Sequence, residues 1–163
     1  MTGQAVLIRE FRLGDAPALH DVFLSAVREV AARDYSPEQI DAWAPKSVDA
    51  ALWADRMRAI SPFIAELDGI PIAYADVQPN GYIDHFFVSG RYARLGVGSK
   101  LMRRILDTAA LQGIKELTSN VSLTAQPFFK RFGFSVIEER QPVVRGIAMR
   151  NAFMRKELPD GLG

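Results

Sequence analysis

A glycine-containing segment at residues 91–100 holds the residues of this chain best suited to bind an anion. It follows an apolar, aromatic run at 82–88 and precedes a long amphipathic stretch, an order typical of strand, turn and helix. Gly96 and Gly98 stand where the helix would begin, and the first N–H groups of a helix have no intrahelical partners. The positive helix end and the absent Cβ atoms would let a phosphate approach the backbone. The segment therefore predicts a phosphate-binding turn.

A tight strand-to-helix turn without a ligand would also explain these glycines, and a single G-x-G pattern does not decide between the two readings. Two common nucleotide motifs do not fit this segment. Leu101 replaces the third glycine of the dinucleotide fingerprint, and Gly98-Ser99-Lys100 lacks the spacing of a Walker loop. A second motif is needed to interpret the turn.

That second motif is the run at 125–134, which has the pattern of a short helix with two adjacent phenylalanines and a Gly-Phe exit into a strand. Its basic residues, Lys130 and Arg131, fit either a phosphate contact or an ordinary solvated helix face. Core packing accounts for Phe132 and is the alternative for the phenylalanine pair.

Periodicity and turn signals predict the elements that would position these motifs. Ser36 with Pro37 and Gln39 has the pattern of a helix start with a capping box. Asp68-Gly69 and Asn80-Gly81 are typical of hairpin turns. The predicted strands are 5–12, 62–67, 70–77, 82–88, 115–121, 134–139 and 143–156, and the predicted helices start near Asp15, Ser36, Val48, Val97 and Ala125.

The composition excludes several classes of protein. The 163 residues suffice for one domain, with 48% hydrophobic and 24% charged residues as in an ordinary globular protein. A net charge of +1 argues against a general nucleic-acid binder, and no apolar run is long enough for a membrane span. We therefore expect a cytoplasmic protein. The chain has no cysteine, and His20 and His85 lack metal-ligand spacing, so we expect no metal site.

Together, the two motifs make the chain resemble the GNAT superfamily of acetyl-CoA-dependent N-acetyltransferases. Gly96, Gly98 and Leu101 match the family's phosphate-binding turn, and residues 125–134 match its second signature. The resemblance implies a mixed α/β, α+β-like fold with a central, mostly antiparallel, splayed sheet of about seven strands flanked by helices. It also implies a single acetyltransferase domain at 1–158, followed by a frayed tail at 159–163.

The resemblance further implies that acetyl-CoA binds as the acetyl donor, with its pyrophosphate on the backbone of the turn and its pantetheine arm beside residues 86–88. The chain departs from the family pattern at two positions: Ala93 replaces a glutamine or arginine, and Phe129 replaces a tyrosine often proposed as general acid. The implied cofactor-binding residues are Phe86, Phe87, Val88, Arg94, Leu95, Gly96, Val97, Gly98, Ser99, Ser122, Phe128, Phe129 and Arg131.

For catalysis, the resemblance implies direct attack of an amine on the acetyl carbonyl, which needs a proton acceptor for the amine and a proton donor for the thiolate. Asp84 is the first choice of base, and it alternates onto the same strand face as Tyr82; a turn-capping role is its alternative. His85, expected on the opposite face, is a second titratable candidate. Ser122 or a water would protonate the thiolate.

The acceptor amine would bind among the first two helices and the last hairpin. Tyr35, Trp43 and Trp53 can form an aromatic wall there, with core packing as their alternative, and Arg145 lies near the start of the final strand. We expect an N-acetyltransferase that moves the acetyl group of acetyl-CoA to a primary amine of a small molecule. The alternatives are a non-catalytic acetyl-CoA-binding regulatory module and acetylation of a protein or aminoacyl-tRNA amine. A homodimer is compatible with the sequence.

Overall fold

The computed structural model describes residues 5–159, which form two four-stranded β-sheets, a small hairpin and five α-helices. Of the predicted tail at 159–163, all but Pro159 lies outside the described residues. The helices are α1 (Ala16–Ser25), α2 (Pro37–Trp43), α3 (Ala50–Ile60), α4 (Val97–Leu111) and α5 (Gln126–Arg131). The strands are β1 (Val6–Glu10), β2 (Phe63–Leu67), β3 (Ile70–Ala75), β4 (Tyr82–Ile83), β5 (Phe86–Val88), β6 (Glu116–Ser122), β7 (Ser135–Arg140), β8 (Val143–Val144), β9 (Ile147–Ala148) and β10 (Asn151–Glu157).

The strands pair mostly antiparallel. The first sheet has the order β1-β2-β3-β5 and is antiparallel throughout. The second has the order β4-β6-β10-β7, in which only β4 and β6 run parallel. These pairings, with helices on the sheets, confirm the predicted fold class. The predicted last strand at 143–156 is divided into the β8–β9 hairpin and β10, because Arg145 and Gly146 form a tight turn with positive φ angles.

Local signals in the sequence correctly predicted several element boundaries. The Ser36 hydroxyl accepts the N–H of Gln39, and the Gln39 side-chain oxygen accepts the N–H of Ser36, so the capping box starts α2 as expected. Asp68 and Gly69 have φ angles of 52° and 78° and join β2 to β3. This is the turn geometry that an Asp-Gly pair favours.

The predicted strand at 82–88 is broken in two, and the two halves belong to different sheets. The cause is Asp76, a fully buried carboxylate that accepts the backbone N–H groups of Asp84 (3.0 Å) and His85 (2.6 Å). These hydrogen bonds replace strand-pairing bonds at the break. From this point β4 pairs with β6 and β5 pairs with β3, so the sheets diverge.

Helices cover both faces of the first sheet. Helix α4 packs its apolar side on one face of that sheet, and Leu101 and Ile105 share an apolar cluster with Ile72, Leu117 and Met154. Helices α1, α2 and α3 cover the opposite face with a second apolar cluster. That cluster includes Leu19, Val27, Ile40, Met57, Ile64 and Tyr74. Within residues 5–159, no helix combines the length and apolar character needed to cross a membrane.

Candidate active site

A cavity of about 360 Å³ opens where β5 and β6 part, and we call it the channel. Its walls are β5, the end of β6, the start of α4, helix α5 and the π-helical segment Ala26–Val30 that continues α1. The predicted cofactor-binding residues that line the channel are Phe86, Phe87, Val88, Arg94, Gly96, Gly98, Ser99, Ser122, Phe128, Phe129 and Arg131.

The two glycines at the start of α4 are needed for different reasons. Gly96 has a φ of 71°, which L residues with a side chain rarely adopt, and the helix begins at the next residue. A Cβ on Gly98 would lie only 3.2 Å from the ring of Phe128, in the wall of the channel. Arg94 and Arg131 line the same cavity. A helix N-terminus without side-chain obstruction, flanked by two arginines, fits a phosphate group.

Two predicted cofactor-binding residues do not line the channel with their side chains. Leu95 is 57% exposed to solvent, and Val97 is buried in the core beneath the helix. The Val97 side chain is thus out of reach of a ligand, and the Leu95 side chain is exposed to solvent outside the channel.

A larger cavity of about 630 Å³, which we call the cleft, lies among α1, α2, α3, the break between β4 and β5, and the β8–β10 region. Tyr35, Trp43 and Arg145, the predicted substrate-binding residues, all line it. Much of its wall is aromatic. The aromatic residues that line it are His20, Phe23, Tyr35, Trp43, Trp53, His85 and Phe87.

Two of these aromatic residues serve the fold and the cleft at once. The hydroxyl of Tyr35 accepts the backbone N–H of Leu123 and donates to the carbonyl of Arg150, so it ties the end of β6 to the start of β10. The indole N–H of Trp53 donates to the carbonyl of Ala16 at 2.8 Å. Both side chains thus pack in the second apolar cluster and also line the cleft, and their binding of an amine stays a prediction.

Asp84 and His85 both line the cleft, although strand alternation predicted opposite faces. Alternation fails here because the strand is interrupted at these two residues. An Asp84 carboxylate oxygen lies 3.0 Å from a guanidinium nitrogen of Arg56, which also lines the cleft. The break thus places a carboxylate and an imidazole side by side at one cavity.

The His85 imidazole is neutral near physiological pH. Burial is the main cause, and it lowers the pKa of His85 to about 4. Its Nδ1 lies 3.0 Å from the hydroxyl of Tyr74, a fully buried phenol whose pKa burial raises well above the usual range. Within residues 5–159, the Tyr74 hydroxyl has its hydrogen bond with His85, so we assign the phenol as the donor to Nδ1. The proton of the neutral imidazole is then assigned to Nε2. His85 is then a hydrogen-bond donor on its free nitrogen.

Tyr82, predicted with the catalytic group, lines neither cavity. Its hydroxyl accepts a hydrogen bond from the side-chain amide of Asn120 at 3.0 Å. It lies in β4, on the far side of the strand break from β5.

The channel and the cleft meet at three residues that line both cavities: Trp43, Phe87 and Ser122. The Ser122 hydroxyl accepts the backbone N–H of Ala125 at 3.2 Å, which leaves its own proton free to be donated. These three side chains are therefore the common wall of the two cavities, and among them the Ser122 hydroxyl has a proton free to donate.

The family relationship follows from the sequence as a whole. The family model for the acetyltransferase (GNAT) domain matches residues 31–158. The uncharacterized N-acetyltransferase YafP of Escherichia coli K12 is 33% identical over 150 residues, which span 92% of this chain and 95% of that protein. The chain belongs to the GNAT acetyltransferase family. It is an acyltransferase of the N-acetyltransferase type.

Solved GNAT structures share its fold. The GCN5-related N-acetyltransferase of Rhodopseudomonas palustris superposes with a TM-score of 0.90 at 28% identity, covering 97% of this chain and 99% of that one. PaiA N-acetyltransferase of Thermoplasma acidophilum, in complex with coenzyme A, gives a TM-score of 0.73 at 18% identity and coverages of 94% and 99%. YncA of Salmonella typhimurium, with its cofactor acetyl-CoA, gives 0.69 at 18%, with coverages of 96% and 95%.

Phe129 is a packing residue of this GNAT chain as well as a channel residue. Its side chain is buried against the rings of Phe86, Phe128 and Phe134, at centroid distances of 5.6, 5.8 and 5.0 Å. A phenylalanine has no proton to donate, so any proton delivered in the channel must come from another group.

Sequence reasoning missed several residues that line the cavities. The channel also includes the segment after α1, through Val27 and Val30, because that segment packs beside β5. The cleft also includes Arg56, Arg150 and Asn151. No local pattern marks these residues, since each enters its cavity through packing between segments far apart in the chain.

Proposed function

We propose that this GNAT enzyme transfers the acetyl group of acetyl-CoA to the primary amine of a small molecule, by direct attack of the amine. The observation that carries the proposal is the meeting of the channel and the cleft at Trp43, Phe87 and Ser122. Two cavities with one contact point suit a reaction in which both substrates are bound together. Structures of PaiA and YncA contain coenzyme A and acetyl-CoA respectively, which supports acetyl-CoA as the donor here.

The channel would hold the donor. The free N–H groups at the start of α4, where Gly96 and Gly98 expose the backbone, would bind the pyrophosphate, with Arg94 and Arg131 adding charge. The edge of β5 at the opening between the sheets would pair with the pantetheine amides, as in strand addition. Bound there, acetyl-CoA supplies an activated acetyl thioester.

The cleft would hold the amine and remove its proton. In the overall change, the amine nitrogen bonds to the acetyl carbon, the carbon–sulfur bond breaks, and the sulfur keeps its electron pair. The Asp84 carboxylate is the base that we assign, directly or through water, because it lines the cleft beside the junction. The Ser122 hydroxyl is placed to pass a proton to the leaving sulfur while it takes one from water, so that the serine ends the step neutral.

A small-molecule acceptor is supported by the shape of the cleft. Its volume, about 630 Å³, falls within the range of small-ligand sites, and helices, the β8–β9 hairpin and β10 all contribute to its wall. A chain with a net charge of +1 lacks the basic excess that favours an aminoacyl-tRNA.

The test is thiol release from acetyl-CoA in the presence of a panel of amines: amino acids, polyamines, aminoglycosides, peptides with free N-termini and an aminoacyl-tRNA. We expect one small-amine class to raise thiol release at least about tenfold above the amine-free hydrolysis rate, with the acetylated amine detected by mass spectrometry. Selective acetylation of a peptide or aminoacyl-tRNA, without turnover of any small amine, would contradict the proposal.

A further inference from the structure

The cleft carries an excess of positive charge. Its charged side chains are three guanidiniums, of Arg56, Arg145 and Arg150, against one carboxylate, that of Asp84. Burial lowers the pKa of both His20 and His85, so both imidazoles are neutral near pH 7 and add no positive charge to the cleft. Asp84 is already paired with Arg56. Two guanidiniums therefore have no acidic partner in the cleft wall.

Arg145 is held in an uncommon conformation that keeps it at the cleft. It has a φ of 46° in the two-residue turn between β8 and β9, a position where asparagine or glycine is usual. One guanidinium nitrogen donates to the carbonyl of Ala42 at 2.7 Å, next to Trp43 at the junction of the two cavities. The remaining N–H groups of this fork stay available to an anion.

Arg150 lies close to the same junction. The hydrogen bond from Tyr35 holds its backbone carbonyl, and the next residue, Asn151, lies opposite Ser122 in the pairing of β10 with β6. Within residues 5–159, Arg150 forms no ion pair, and the Asn151 side-chain oxygen is buried without a hydrogen-bond partner. Both residues line the cleft. This part of the wall thus offers a cation, which suits a carboxylate, and an acceptor oxygen, which suits an N–H donor such as an ammonium group.

The rest of the wall is suited to an apolar or aromatic body. The ring of Phe23 packs against Trp53 and edge-on against Phe87, at 5.3 and 4.9 Å between centroids. Trp43 packs edge-on against Tyr35 at 5.5 Å. These rings give the cleft an apolar, aromatic wall that favours an apolar or aromatic body over a polar one.

We propose that the acceptor is a primary amine that also carries a carboxylate on an apolar or aromatic body, as in an aromatic amino acid, with Arg145 and Arg150 binding the carboxylate and Asp84 facing the ammonium group. The inference rests on the proposed function, because it names the substrate class of the same cleft. A polyamine is disfavoured, since its several positive charges would meet the unpaired guanidiniums.

The experiment compares L-phenylalanine with L-phenylalaninamide, which has the same ring and amine but no carboxylate charge. Both tryptophans of the chain, Trp43 and Trp53, line the cleft, so intrinsic fluorescence reports binding even without turnover. Thiol release from acetyl-CoA measures turnover on the same samples. Phenethylamine and spermidine complete the set.

We expect phenylalanine to bind at least about tenfold more tightly than its amide, as for a charge-assisted hydrogen bond. Arg145→Gln and Arg150→Gln should each reduce that preference about tenfold, and the amide should bind all variants alike. The control is Arg58→Gln, an exposed arginine on α3 that lines neither cavity and should keep the preference.

The inference would be overturned if the amide or spermidine bound as tightly as phenylalanine or more tightly. It would also be overturned if the preference for phenylalanine over its amide persisted in both Arg145→Gln and Arg150→Gln. If phenylalanine binds selectively and no small amine is acetylated, the carboxylate site stands and the proposed small-amine acetylation fails. If the amide is acetylated as well as the acid, the proposed function stands and the carboxylate site fails.

Discussion

The channel and the cleft meet at three side chains, but they are built differently. Apart from the segment 26–31 after α1 and Trp43, the channel comes from two short stretches of chain, 86–99 and 122–131. The anion site that we propose there uses mainly the backbone N–H groups at the start of α4. The cleft is assembled from side chains between residues 20 and 151, and its charges sit on arginines and an aspartate. A backbone site suits a ligand common to a whole family, and a side-chain site can change with the acceptor.

The largest effect should come from placing a charged side chain in the channel. Gly98→Asp adds a Cβ that meets Phe128 and a negative charge at the predicted pyrophosphate site. Affinity for coenzyme A, measured by calorimetry, should fall on the order of 1,000-fold, or about 4 kcal/mol. Gly14→Asp is the control, because a Cβ at Gly14 meets no atom within 4 Å and the residue lines neither cavity. Affinity within about tenfold of the unmodified chain would reject the assignment of the channel.

The next effect is a pH dependence of stability that belongs to the cleft. The folded-state pKa of His85, about 4, is below the ordinary value of 6.5. Between these values the unfolded chain binds the proton, so stability is complete above pH 6.5 and decreases as pH falls toward 4. The loss is on the order of 3 kcal/mol. The free energy of unfolding, measured in urea from pH 4 to 7, should change less with pH in His85→Gln than in the unmodified chain. An identical dependence on pH would show that His85 is not the cause.

A third substitution tests the amine side of the comparison. Asp84→Asn should lower kcat about 100-fold, the range of general-base catalysis, without changing the affinity for coenzyme A. The control is Asp41→Asn, which removes a carboxylate that pairs with Arg28 outside both cavities. If kcat of Asp84→Asn still falls at low pH as it does in the unmodified chain, the general base is a group other than Asp84.

The smallest effects are expected from Ser122 at the junction and from Phe129 in the channel. Ser122→Ala should lower kcat about tenfold if its hydroxyl protonates the leaving sulfur.

Phe129→Tyr alone should keep or raise activity, since it restores a phenol at a position that lines the channel. Combined with Ser122→Ala, Phe129→Tyr should recover the lost rate. A large loss in Phe129→Tyr alone would show instead that packing against Phe86 and Phe134 does not tolerate a hydroxyl.

Sequence reasoning succeeded where a few neighbouring residues decide the structure. The Ser36 capping box and the Asp68-Gly69 turn depend on hydrogen bonds and backbone angles within four residues, so their types predicted them. It failed at Asp84 and His85, where simple alternation predicted opposite faces. The buried carboxylate of Asp76 breaks that strand, and no pattern along the chain signals the hydrogen bonds that it accepts.

By itself, the sequence determined the element types and two motifs, the glycine turn at the start of α4 and the run at 125–134. The two motifs together predicted the GNAT fold. These features depend on local backbone chemistry, which residue types and spacing encode directly. Only the tertiary structure decided that the sheets diverge at Asp76, and that Arg145 and Arg150 converge on a cleft with an aromatic wall. Such contacts join segments about a hundred residues apart, such as Arg145 and Ala42. Packing of the whole chain creates them, so no local pattern carries them.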